Sequence, residues 1–128
     1  MKNAFVAATS IMILGCAPSA TTIPSDKGQT AEAHNQPVCL LKTGLPANIS
    51  YTVLGNIQGG SEGYDRVGEI IPLMAQEARK LGADAVINME TGRKVGLFAW
   101  SRPYGTGTAV RVKNKADLNC ASLGGELR

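Results

Sequence analysis

One stretch constrains the fold more than any other: an amphipathic stripe that stops on a glycine and runs straight into an apolar segment. Ile70, Met74, Ala78 and Leu81 recur at helical spacing, and Ile71 with Ala75 widens the stripe. Gln76, Glu77, Arg79 and Lys80 take the opposite face. Gly82 supplies the left-handed stop, and residues 83–89 follow as the clearest strand signal in the chain. The spacing predicts one helix over about 66–81. Pro72 is comfortable only in a first turn. The helix therefore either starts at Pro72, or begins earlier behind an Asp65 cap and kinks there.

Around this helix the two-residue period marks short strands at 38–41, 51–57, 83–89, 93–101 and 108–112. In 93–101, Val95, Leu97 and Ala99 alternate against Phe98 and Trp100, so the first set faces the helix and the aromatics face away. Turn chemistry fills 43–48, 58–63, 90–92 and 102–107. Fifteen glycines in 128 residues exceed the usual share of about 7% and point to a turn-rich domain. The order β-β-α-β-β-β gives an α+β fold, one helix packed on a small, mainly antiparallel sheet. The glycine-rich 58–63 matches neither a P-loop nor a dinucleotide fingerprint and reads as a connector.

The amino terminus divides as a secretory leader does. Lys2 precedes an apolar run at 4–14, which is short of the roughly 20 residues a membrane-crossing helix needs. Ile13-Leu14-Gly15-Cys16 resembles the lipobox of bacterial lipoproteins. The resemblance implies cleavage after residue 15, a diacylglyceryl group on the Cys16 sulfur and an acyl chain such as palmitate on the new amino terminus. It implies a leader over 1–15, a lipidated tether over 16–36 and a single small domain over 37–128. Ala17, where retained lipoproteins carry Asp, points to the periplasmic face of the outer membrane. Residues 17–36 are polar, with Ile23 the one large apolar side chain, and read as a flexible spacer with an r.m.s. span of about 25 Å. His34, the only histidine, reads as a solvated spacer residue.

With Cys16 assigned to lipid, Cys39 and Cys120 remain. Two thiols in an oxidising compartment are expected to pair; the alternative is two separate thiols, one of them buried. The precursor's net charge of +3 falls to +2 without Lys2, too mild to argue for nucleic acid. Roughly ninety residues remain for a core, enough for one domain.

The segments 53–57, 78–88 and 105–110 together resemble the YbjQ-type heavy-metal-binding domain family, with Arg79-Lys80-Leu81-Gly82-Ala83-Asp84-Ala85-Val86 the most specific part. The layout is also similar to that of the outer-membrane lipoproteins that sense envelope stress for the Rcs phosphorelay. The resemblance spans about 51–113 and implies fold more than function; the sensors' additional cysteines are not matched. Metal binding is the first family's label, yet residues 37–128 hold no histidine and no Cys-x-x-Cys. Asp65, Glu69 and Asp84 could meet a hard cation but lack calcium-loop spacing. No metal, cofactor or enzymatic activity is expected, since no histidine stands ready to activate a serine or cysteine and no Ser-x-x-Lys occurs. The candidate interface is Phe98, Trp100, Arg102 and Tyr104, because aromatics beside arginine anchor interfaces. The expected role is a non-enzymatic envelope lipoprotein that meets an envelope protein or a second copy of itself. A stress-sensing or small-ligand-binding lipoprotein is the alternative.

Overall fold

A computed structural model of the chain describes residues 17–25, 31–96 and 100–128. The fold is α+β. Strands β1 (Ser19–Pro24), β2 (Cys39–Leu40) and β3 (Tyr51–Gly60) precede helix α1 (Val67–Leu81). Strands β4 (Ala85–Lys94) and β5 (Arg102–Val112), a 3-10 turn at Lys115–Asp117 and β6 (Glu126–Leu127) follow it. From β2 onward the order is the expected β-β-α-β-β-β. The strands form one sheet in the order β1-β3-β5-β4-β2-β6, antiparallel throughout except for the β2–β4 pair.

The helix starts one residue after Arg66, whose backbone N–H donates to the Glu69 carboxylate at 3.1 Å. Asp65 does not cap it; its carboxylate instead accepts the Ser61 hydroxyl. Pro72 sits inside the helix. The residue four before it, Gly68, is exposed, so water can take the place of the missing amide. At the other end Gly82 adopts φ 79°, and the Ala83 N–H closes onto the Ala78 carbonyl at 2.9 Å. A Cβ at Gly82 would also lie 2.5 Å from the Glu32 carbonyl, so this turn needs glycine for conformation and for space.

The sheet separates two apolar layers. Val38, Leu40, Leu54, Ile57, Val86 and Ala109 pack with Ile70, Met74, Ala75 and Ala78 of the helix. Cys39, Leu41, Ala85, Ile87, Val110 and Cys120 face the other way, under Leu45, Leu118 and Leu123. The alternation through residues 38–41 thus feeds both layers, and the C-terminal segment covers the face the helix leaves open. A disulfide joins Cys39 to Cys120 across 81 positions of sequence, with Cα atoms 5.6 Å apart.

Three boundaries differ from the sequence expectation, each for a physical reason. Gly59 and Gly60 belong to β3, and residues 102–107 belong to β5. Gly59 and Gly105 are cross-strand partners, and together they form a flat floor for the helix. A Cβ at Gly59 would lie 2.3 Å from Ile70 Cγ2, and one at Gly105 would lie 2.7 Å from Met74 Sδ. Glu90-Thr91-Gly92 does not turn the chain but continues β4, with Gly92 opposite Tyr104, whose ring fills the space a side chain would take. The strand expected over 93–101 accordingly ends at Lys94, and Val95 is 70% exposed instead of facing the helix. Leu97 and Ala99 lie outside the described residues.

The span expected to be a spacer, 16–36, also differs. Its residues 19–24 form β1 on the edge of β3, where Thr21, Thr22 and Ile23 supply a β-branched run. Ala20 packs on the helix-side core, and the Thr22 hydroxyl donates to Glu77 at 3.0 Å. His34 is held as well: its Nε2 lies 2.6 Å from the Ala83 carbonyl oxygen, and the Gln36 N–H donates to its Nδ1 at 3.0 Å. An acceptor at Nδ1 and a donor at Nε2 define the Nε2–H tautomer. No helix among the described residues is long and apolar enough to cross a membrane.

Candidate functional site

One end of the sheet gathers most of the aromatic rings of the described residues, together with four basic side chains. Ser19 of β1, Gly60 of β3, Tyr104 of β5 and Gly92 of β4 lie side by side in register across it. Beyond that row run the 61–66 connection from β3 to the helix and residues 95–96 and 100–101 between β4 and β5. A cleft of about 400 Å³ opens there, bounded by Ala17, Ser19, Glu62, Lys94, Arg102 and Tyr104.

Three of the four expected interface residues can be placed. Arg102 begins β5 and pairs with Glu62, which fastens the strand to the 61–66 connection. Tyr104 lies two residues on, on the cleft wall. Its hydroxyl donates to Glu90 at 3.2 Å, and the Lys94 ammonium stands 5.3 Å from its ring centroid. The bond to Glu90, and secondarily that group's negative charge, raises the phenol's pKa above its ordinary value of 10.0. Trp100 is 84% exposed, and its backbone N–H donates to the Tyr64 hydroxyl at 3.2 Å. Phe98 and Cys16 lie outside the described residues.

Tyr64 is the residue that sequence reasoning missed. It stands in a glycine-rich connector, and only its isolation as a bulky side chain among small and polar neighbours marks it. In the structure it is 64% exposed beside Trp100. Arg93 stiffens the same region, its guanidinium donating to the Ser101 hydroxyl and carbonyl and to the Asp65 carbonyl at 2.7–3.1 Å. The surface therefore consists of exposed rings on backbone braced by arginine.

Comparison with the models of known protein families, with curated proteins and with solved structures finds no match.

The carboxylates considered for a cation do not meet. Asp65 and Glu69 stand at the start of the helix and Asp84 just past its end, which places them about 20 Å apart along 15 residues of helix. Asp84 is buried, accepting the Val112 N–H at 3.0 Å and facing Lys115 at 3.5 Å. It joins the end of the helix to the end of β5. Among the described residues no group of three His, Cys, Asp or Glu side chains could hold a metal.

Proposed function

We propose that this chain is a non-enzymatic lipoprotein of the bacterial cell envelope, anchored through acylated Cys16 and acting by contact at the end of its sheet. The observation that carries the reading is the exposure of Trp100 and Tyr64 on a surface braced by Arg93 and the Arg102–Glu62 pair. Large exposed rings on a fixed backbone suit a binding surface, because little ordering entropy is lost on contact. The lipobox resemblance at residues 13–16 supplies the anchor, and Ala17 after it favours the periplasmic face of the outer membrane.

The test compares membrane fractions of cells producing the wild type and Cys16→Ser, with mass analysis of the N-terminal peptide. A wild type that sediments with membranes and begins at an acylated Cys16 is expected, together with a variant that loses the lipid. A wild-type peptide that keeps residues 1–15, or starts at Cys16 without acyl chains, overturns the reading.

A further inference from the structure

The structure points to one occupant for this surface, and we infer that it is the lipid bilayer itself: the end bearing Tyr64, Val95 and Trp100 rests in the headgroup layer of the membrane that holds Cys16. The inference rests on the anchoring proposed above and adds the orientation of the domain. Three observations carry it.

The first is where the anchor enters. Ala17 lines the cleft beside Lys94 and Arg102, and β1 begins at Ser19 in the same row as Gly60, Tyr104 and Gly92. Cys16 is the residue before Ala17 in sequence. From Cys16 to Ser19 the chain reaches at most about 10 Å. A headgroup layer is about 5–8 Å deep on each side of the hydrocarbon. A tether of that length holds this end of the sheet at the lipid surface and leaves no room for a partner of domain size between them. The spacer of about 25 Å expected from composition would have left the domain free to turn.

The second is the distribution of rings. The chain has one Trp, three Tyr and two Phe. Among the described residues Tyr64, Trp100 and Tyr104 are at this end. Only Tyr51 lies at the opposite end, where it pairs with Val112. Tryptophan and tyrosine are the side chains that collect at membrane–water interfaces, an apolar ring with a polar handle.

The third is charge. Within 61–66 and 93–102 four cations, Arg66, Arg93, Lys94 and Arg102, outnumber the two anions Glu62 and Asp65. Lys94 and Arg66 are exposed, and long basic side chains beside rings suit an anionic headgroup layer.

Trp100 is the sole tryptophan, so the full lipidated protein reports on itself. The protein is purified from membranes and reconstituted in phosphatidylethanolamine–phosphatidylglycerol vesicles, with and without brominated acyl chains. Trp100 emission should shift to the blue relative to detergent-free Cys16→Ser protein, lose most of its intensity to the brominated chains and be shielded from acrylamide. The variant Trp100→Phe/Tyr51→Trp moves the probe to the far end of the sheet and should keep its intensity in brominated lipid. Its circular dichroism spectrum reports whether it is folded. Acylated protein whose Trp100 is quenched by acrylamide and untouched by bromine overturns this inference alone. A Trp100 shielded from both would place a second copy of the chain over it and overturns it too. An unacylated Cys16 overturns the anchoring, and this orientation with it.

Discussion

Replacing Gly59 by alanine tests the packing that positions the whole contact surface. The new Cβ would sit 2.3 Å from Ile70 Cγ2 and 3.1 Å from Met74 Cγ. Carbon atoms rest about 3.5–4.0 Å apart, so the helix or β3 must yield by more than an ångström. Ile70 cannot swing away, because a β-branched side chain in a helix has essentially one rotamer and this one is fully buried. Overpacking of this kind costs about 1–3 kcal/mol, and the depth of the overlap puts Gly59→Ala near the top of that range. For a domain of this size the melting temperature should fall by roughly 10 °C. Gly68→Ala makes the same chemical change at an exposed helical site where nothing lies within 4 Å. That variant should gain about 0.5–1 kcal/mol from reduced backbone freedom and better helix propensity. Both are read by urea unfolding followed by circular dichroism. Ile70→Ala should relieve part of the penalty in the double variant, a coupling that a cycle of the four proteins measures. A Gly59→Ala protein as stable as the wild type would show that the glycine pair does not set the distance between helix and sheet.

Further outcomes follow from other contacts. The Cys39→Ala/Cys120→Ala protein should lose about 4–5 kcal/mol by the chain-entropy relation for a bridge spanning 81 positions, seen as a lower urea midpoint; an unchanged midpoint would mean the C-terminal segment is held without it. Tyr104 should ionise at higher pH than a free tyrosine, and Glu90→Gln should bring its phenolate titration, followed by ultraviolet absorbance, back down. Because the folded state raises this pKa, the contribution of the Tyr104–Glu90 bond is complete below about pH 10 and is lost as the pH climbs through the folded-state value. A titration unmoved by Glu90→Gln would argue against the bond. His34→Ala removes the tie between residues 34–36 and the Ala83 carbonyl, at a cost of about 1–2 kcal/mol. Amide exchange at Gln36 should quicken in that variant, and an unchanged rate would show that other contacts hold the segment.

The helix and its stop were legible because they depend on local chemistry: the stripe from Ile70 to Leu81 and the φ of Gly82 are properties of a few adjacent residues. The pairing of Cys39 with Cys120 was legible from their number and from the compartment that the lipobox resemblance implies. The glycines were not. Gly59, Gly92 and Gly105 read as turns because a sequence shows only that a side chain is missing. It does not show that Ile70, Tyr104 and Met74 occupy the vacated space from distant parts of the chain. β1 escaped for a related reason. A polar edge strand has no apolar alternation to announce it, and its pairing is decided by β3, some thirty-five residues away. Of the contact surface, Trp100, Arg102 and Tyr104 stood out by residue type, and the meetings of Trp100 with Tyr64 and of Arg102 with Glu62 came from the tertiary fold.

β6 and Arg128 close the sheet on its β2 side. Val38 and Arg128 exchange backbone hydrogen bonds at 2.8 and 3.0 Å, and the Arg79 guanidinium also reaches the Arg128 carbonyl at 2.9 Å. Contacts between such distant positions are slow to form, and these draw residues 126–128 back to residues 38–40. A variant without residues 126–128 would leave β2 as a raw edge open to strand exchange with its neighbours.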